Sequence, residues 1–189
     1  MAIIDSTVVR PSAVSTLIAA NTSAGKSVYS PKDWPNNPED YPCIIARTPH
    51  ERKENVSGRN GVPAFFTTIM LTAVGRVKGY NESDAEAQLE TLSAQIEAAL
   101  LTNQQFIRTN GIQQFVSVET SREVRSESGV HYGETATVFS LEVYQEYDST
   151  IDAAGNPMAP ALSQVTVTID NGPGGEELAS ASYPLPTGA

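Results

Sequence analysis

The sequence predicts an α+β fold, in which a mostly antiparallel sheet packs against one long helix, with a short N-terminal helix and a C-terminal extension. Residues 83–101 carry apolar side chains at helical spacing, and runs of strand-forming residues lie on both sides of that segment. After Asp148 the composition changes to Ala, Gly, Pro, Asn and Ser. We therefore predict a domain over residues 1–147 and an acidic, Gly/Pro-rich extension over residues 148–189.

The long helix is the clearest element. Its apolar positions follow the period of an α-helix and indicate one buried face: Ala85, Leu89, Leu92, Ile96, Ala99 and Leu100. Ser83 followed by Glu86 matches a capping box, in which each side chain bonds to the other residue's backbone amide. We therefore expect Ser83 to cap the helix.

Around this helix the sequence predicts shorter elements. A helix is expected over residues 10–21 with Pro11 in its first turn. Strands are expected over four segments, with a possible fifth in the extension: 41–47, 64–77, 112–122, 135–147 and 165–169. The polar, glycine-containing segment 48–62 has the composition of a long mobile loop. Short connections late in the chain favour antiparallel pairing.

The distribution of charge disfavours nucleic-acid binding. The net charge is −10, and from Ser126 onward the chain has nine of its 22 carboxylates and none of its 12 Lys and Arg. Such a surface repels phosphate. The apolar runs are too short to span a membrane, and no secretory leader is recognised, so we expect synthesis in a cytoplasm. The single cysteine, Cys43, lies in an apolar run and is expected to be buried.

Three short patterns resemble chemical sites, and each is incomplete. Residues 24–27 end like a phosphate-binding loop, but Ala20 replaces its first glycine. His50-Glu51 begins like a zinc-protease helix, but Glu54 stands where the second histidine belongs. His131 has no nucleophile elbow beside it. We predict no catalytic residue, metal or cofactor; a small nucleotide-binding or hydrolytic enzyme is the remote alternative.

The densest positive cluster is a candidate interaction surface. A solvated face is the simpler interpretation of its basic residues, which are Arg47, Arg52, Lys53 and Arg59. Contact with the acidic part of an identical neighbour is the sharper interpretation, because opposite charges favour association. The acidic residues predicted to take part in a subunit or tube interface are Glu142, Glu146 and Asp148.

The order of these elements resembles the tail terminator proteins of long-tailed bacteriophages, such as the lambda tail terminator. The resemblance covers about residues 10–147. It rests on the N-terminal helix, the strand Tyr41-Pro42-Cys43-Ile44-Ile45, the long strand after it, the helix from Leu89 to Leu100, and the closing Leu141-Glu142-Val143-Tyr144. The extension after Asp148 has no counterpart in this pattern.

The resemblance implies a structural virion protein. It implies a homohexameric ring that caps the tail tube, ends its polymerisation and joins the tail to the head. The implied partners are other copies of the chain, the tail tube protein and a head-completion or neck protein, with genomic DNA passing through the lumen without specific binding. The implied location is the head-proximal end of the virion tail. A head–tail connector or another neck subunit is the alternative, because it predicts the same composition.

Overall fold

The computed structural model describes residues 4–31, 40–56, 63–127, 129–147, 164–170 and 177–184. The chain divides into two compact units, Met1–Tyr147 and Asp148–Ala189. In the first unit the described helices are α1 (Ser6–Ala19), α2 (Glu82–Leu101) and α3 (Gln104–Thr109), and the described strands are β1 (Val28–Tyr29), β2 (Cys43–Asn55), β3 (Ala64–Gly79), β4 (Ile112–Glu127) and β5 (Val130–Glu146). In the second unit, β6 (Gln164–Asp170) and β7 (Glu177–Pro184) form an antiparallel pair.

The first unit is built on a five-stranded sheet with the order β1-β2-β3-β5-β4. The short β1 runs parallel to β2, and every other neighbouring pair is antiparallel. Thus β2 and β3 form one hairpin, β4 and β5 form another, and the pairing of β3 with β5 joins them. The predicted α+β class, with a mostly antiparallel sheet against one long helix, is confirmed.

The helices all pack on one face of this sheet. Alternate residues of a strand point to opposite faces, and one set from β3 and β5 joins the core with the helices: Ile69, Leu71, Ala73, Val77, Phe139, Leu141 and Val143. From the helices come Val9, Ala13 and Leu17 of α1, Leu89, Leu92, Ile96 and Leu100 of α2, and Phe106 of α3. The other face is called here the helix-free face.

Glycines in the sheet bring α2 close to it. A Cβ placed on Gly75 would lie 2.7 Å from Leu92 Cδ2, and one on Gly79 would lie 2.6 Å from the backbone nitrogen of Ala85. A carbon atom at either position would force a neighbouring atom to shift. The helix axis therefore approaches the sheet more closely than larger residues at these positions would allow.

Helices α1 and α2 both begin at residues other than those predicted. Asn81 caps α2, and its side-chain oxygen accepts from Asp84 N at 2.8 Å, whereas the sequence predicted Ser83. Asp84 in turn accepts from Tyr80 N at 2.9 Å, so the cap lies two residues earlier in the chain than predicted, and its second hydrogen bond comes from the residue before Asn81. Asp5 caps α1, and the hydrogen bond from the Thr7 hydroxyl lowers the pKa of Asp5. Pro11 consequently lies inside α1 and not in its first turn.

The prediction of a long loop over residues 48–62 is wrong for its first half. Strand β2 continues to Asn55 and pairs with β3 as far as Phe65. The segment looked like a loop because its polar side chains are exposed on both faces of a sheet edge, where burial imposes no alternation. The sequence analysis also missed β1, α3 and β7, which have two, six and eight residues.

Cys43 is fully buried, as predicted, and burial raises the pKa of its thiol to about 11. No helix in the described parts of the chain is both long enough and apolar enough to cross a membrane.

Candidate assembly surface

The helix-free face of the sheet has a small, uncharged centre. Its middle rows present Met70 and Thr72 from β3 and Ala136, Val138 and Ser140 from β5. Thr72 is buried and the other four side chains are half-buried. On the same face, Cys43, Ile45 and Val74 are at most 1% exposed, so the part of the face next to them is not open to solvent. A surface of this kind, apolar or small at the centre and polar at its border, is typical of protein–protein interfaces.

Charged pairs border the face at the end where β2 begins. Arg76 Nε lies 2.8 Å from Glu134 Oε2, and Arg125 Nε lies 2.8 Å from Glu123 Oε1. Glu134 and Glu123 are direct cross-strand neighbours, so each carboxylate needs its own arginine to offset their repulsion. The hydrogen bonds from Arg125 lower the pKa of Glu123.

These pairs line a shallow cavity of about 200 Å³. Tyr41 and Tyr132 form part of its wall, with ring centroids 6.2 Å apart and the rings almost perpendicular. Because both arginines already contact carboxylates, the cavity does not present a free positive charge to an anionic ligand. Its charges form a mixed border of the face.

Polar and aromatic side chains border the opposite end. Arg52 lies 2.9 Å from Glu54, and Gln114 donates to Glu142 at 2.8 Å. The Tyr144 hydroxyl donates to Glu146 at 2.9 Å. Strand register places Arg52 opposite Thr68 and Thr68 opposite Glu142, so Arg52 and Glu142 share one level of the face, two strands apart. At the usual strand spacing this separation is about 10 Å.

Lys53 lies on the other face of β2 from Arg52. Its ammonium group contacts the Tyr147 hydroxyl at 2.5 Å and Glu51 at 3.2 Å. The hydrogen bond with Tyr147 raises the pKa of Lys53. This lysine therefore helps to hold the end of β5 against β2, and its charge is already engaged within the subunit.

The structure separates the residues that the sequence grouped as one basic cluster. Arg47 and Arg52 lie on the helix-free face of β2, while Lys53 points to the helix side. Glu142 and Glu146 lie on the helix-free face of β5. The other two predicted interface residues, Arg59 and Asp148, lie outside the described residues.

Sequence reasoning missed the charged row at the end of β4. Glu119, Glu123 and Glu127 recur at every fourth residue, with Arg125 between the last two. A strand places residues at this spacing on one face, so the spacing indicates a charged row on one face of the sheet. It was overlooked because the predicted strand ended at residue 122, before most of this row.

Each side of the sheet ends in a strand with an unpaired edge, as far as the described residues show. Strand β4 is outermost along its whole length of 16 residues, and Val116 and Val118 on it are 55% and 37% exposed. On the other side, β1 pairs only with Ile44 and Ile45, and no other described strand pairs with that edge of β2. Unpaired backbone groups on such edges can bind another strand.

The segments that resembled chemical sites have ordinary backbone structure. Residues 24–27 form a turn, in which Gly25 has a positive φ of 57° and Gly25 N donates to Thr22 O at 2.8 Å. His50 and Glu54 lie in β2 and not on a helix. Within the described residues, no three His, Cys, Asp or Glu side chains are grouped so that they could hold a metal ion.

Comparison with known proteins gave structural matches alone. No family model matches the chain, and no curated protein matches it. Among solved structures, the chain is similar to one in the virion of a native gene transfer agent particle, at 12% identity and a TM-score of 0.35, over 67% of this chain and 84% of that one.

Proposed function

We propose that this chain is a structural protein of a tailed phage-like virion and carries out no chemical reaction. In this proposal, copies of the chain form a ring, with six subunits as the expected number. The ring caps the tail tube, ends its polymerisation and joins the tail to the head or neck at the head-proximal end.

The observation that carries the proposal is the one-sided construction of the sheet. Three helices pack on one face, and among the described residues none of them covers the other face. Glycines in β3 let α2 pack close to the sheet. The result is a two-layered unit whose helix-free face has a small, uncharged centre and a charged border. Such a face suits repeated contacts with identical or partner subunits.

The proposed mechanism is steric and electrostatic. One surface of the ring matches the end of the tail tube, and the opposite surface does not accept another tube subunit, so growth stops there. The excess of carboxylates allows DNA to pass through the lumen without adhering, since like charges repel. No cofactor takes part in either step.

The direct test is a tail-tube growth assay. Adding the purified chain to growing tubes should stop elongation, and electron microscopy should show one ring at a single end of each tube. An Arg52→Glu variant should cap less efficiently, because the proposed interface loses a positive charge. Glu90→Arg, on the exposed side of α2, is the matched control and should cap normally. A chain that stays monomeric at high concentration, alone and with tail components, would contradict the proposal.

The same assay separates the alternatives. A head–tail connector or neck subunit would bind heads and leave tube length unchanged. A small nucleotide-binding or hydrolytic enzyme would instead be stabilised by its ligand. In a thermal-shift screen, a nucleotide or a divalent metal ion would then raise its Tm. We expect neither result for this chain.

A further inference from the structure

The outer edge of β4 has no partner strand among those that the structure describes. Strand β4 pairs with β5 on one side and is the last strand in the order of the sheet. After the bulge at Val116, it pairs with β5 without interruption from Ser117 to Glu127. This regular stretch is about 37 Å long at the usual rise per residue. Its unpaired backbone groups can accept another strand.

Pairing between two copies of this same strand restricts the register. When a two-fold axis relates two antiparallel strands, residues equally far from the axis face each other and lie on one face of the sheet. The whole regular stretch is used only when its middle residue, Arg122, lies on the axis. An axis nearer the start of β4 would set the bulge at Val116 against regular backbone, and an axis nearer the end would shorten the paired stretch.

In that register the helix-free face of β4 is complementary in charge to its own copy. Glu119 faces Arg125 of the second copy, and by symmetry Arg125 faces Glu119 of the second copy. Each remaining carboxylate faces a hydroxyl group, in the pairs Glu123 with Ser121 and Glu127 with Ser117. Moving the axis by one residue in either direction would place Glu119 opposite Glu123 or Glu127, and carboxylates that face each other destabilise a sheet.

Both charged groups are available for this contact. Glu119 is exposed, and within the described part of the chain no hydrogen bond or ion pair engages it. Arg125 binds Glu123 of its own strand through Nε and Nη2, at 2.8 and 2.9 Å. A guanidinium has five N–H donors, so Arg125 keeps donors for a second carboxylate. The pair with Glu123 is largely exposed, and such pairs add little stability that sharing could remove.

On the other face of β4, the axis brings two arginines opposite each other. Arg122 donates through Nη2 to Ser93 Oγ of its own α2 at 2.8 Å, so its side chain is directed toward the helix. Glu97 lies one turn after Ser93 on the same side of α2 and accepts from Thr120 of β4 at 2.7 Å. Each copy therefore places a carboxylate on the side of α2 that binds Arg122, which offsets the repulsion between the two arginines.

We infer that two copies of the free protein pair through the outer edges of β4, antiparallel and about a two-fold axis at Arg122. The two sheets then form one continuous sheet with all helices on the same face, and the edges of β4 are no longer open to other strands. A two-fold contact joins the same surface of both copies, whereas a cyclic ring repeats a head-to-tail contact. This contact is therefore additional to the one that closes the proposed ring, and it concerns the protein before it reaches a tail.

Cysteine cross-linking tests the register. In Ser121→Cys the two cysteines lie diagonally across the axis, about 7–8 Å apart, so a short bismaleimide should convert the protein to a covalent dimer. Ser126→Cys is the matched control, since Ser126 is also exposed on β4 but lies about 27 Å along the strands from its copy. It should give no dimer. The native Cys43 is fully buried and does not interfere. A dimer from Ser126→Cys and none from Ser121→Cys would overturn the register.

Charge exchange tests the contact itself. Glu119→Arg places arginine opposite arginine twice in each dimer, so the dissociation constant from sedimentation equilibrium should rise roughly tenfold. Adding Arg125→Glu restores opposite charges at both places and should return the constant to near the wild-type value. Glu127→Arg makes the same change in net charge opposite a serine and should not weaken the dimer. A double variant that dissociates more readily than Glu119→Arg would overturn the pairing.

The inference and the proposed function fail separately. A wild-type protein that shows no dimer on sedimentation up to its limit of solubility, with no cross-link from Ser121→Cys, would overturn the β4 contact. Circular dichroism of the variant checks that it is folded. The tube-growth assay would be unaffected by that result, because the ring uses a different contact. Loss of capping by a protein that still dimerises through β4 would instead overturn the proposed function alone.

Discussion

Gly79 shows how a single missing methyl group sets the distance between two layers. It lies at the end of β3, and the space that its Cβ would need is occupied by the backbone of Ala85 in α2. At Gly75 the nearest atoms are side-chain carbons of Leu92 and Thr135. Side chains can change rotamer, whereas a helix backbone cannot move without shifting the whole helix.

We therefore expect Gly79→Ala to lower the free energy of unfolding by about 1–3 kcal/mol, the usual cost of overpacking. Gly75→Ala should cost less, because Leu92 and Thr135 can adjust. Urea unfolding of both variants measures the difference. Equal stabilities for the wild type and Gly79→Ala would show that the helix does not approach the sheet as closely as described.

Cys43 gives a prediction in pH. Burial raises the pKa of its thiol to about 11 from an ordinary value of 9.0. The folded chain therefore holds this proton to a higher pH than the unfolded chain does, so raising the pH from 9 to 11 favours unfolding. Over that window the wild type should lose roughly 1–3 kcal/mol more stability than Cys43→Ala. Parallel unfolding curves at pH 8 and pH 10.5 measure the effect, and the alanine variant cancels contributions from tyrosine and lysine.

At the scale of the element, the N-terminus of α2 distinguishes two capping assignments. The structure gives the cap to Asn81, whereas the sequence pattern gave it to Ser83. Asn81→Ala should lower the free energy of unfolding by about 1 kcal/mol, because an orphan amide loses its acceptor. Ser83→Ala should change it by a few tenths at most, since alanine is the better helix former. The reverse order of these two effects would support the capping box over Asn81.

Helices and strands with a regular spacing of apolar residues could be predicted from the sequence. Strands that form only because they hydrogen-bond to a distant partner strand could not. The buried stripe of α2, from Leu89 to Leu100, and the alternation in β5 both arise within their own segments. The polar half of β2 has no such pattern, because its partner β3 supplies the hydrogen bonds that make it a strand. Strand β1 is two residues long and exists only through its contact with β2.

The candidate surface was predictable only in part for the same reason. Proximity in sequence grouped Arg52 with Lys53, but alternation along a strand places neighbours on opposite faces. Strand register instead brings Arg52 to the level of Glu142, which is far away along the chain. Register depends on which strands pair, and no local pattern in the sequence specifies that. The sequence thus identifies the charged residues, and strand pairing determines which of them share a face.

For the whole molecule, the first unit contains a complete hydrophobic core of its own. The core residues run from Val9 to Val143, all within Met1–Tyr147. A chain ending at Tyr147 should therefore fold, and its free energy of unfolding should lie within about 1 kcal/mol of that of the same unit in the full chain. Circular dichroism and urea unfolding measure this. Loss of cooperative unfolding in the shortened chain would show that the core needs the second unit.

The pairing of β3 with β5 also has a consequence for how the chain folds. The hairpins β2–β3 and β4–β5 close over short stretches of chain, whereas β3 can meet β5 only after α2, α3 and β4 have been gathered between them. Closing this longer loop costs conformational entropy before the contacts between β3 and β5 can offset that cost. The pairing of β3 with β5 should therefore be the slow step of refolding. Truncating Leu71 or Phe139, which face each other across that seam, should slow refolding in stopped-flow experiments. Truncating Phe106 should mainly accelerate unfolding, because α3 can dock after the barrier is crossed.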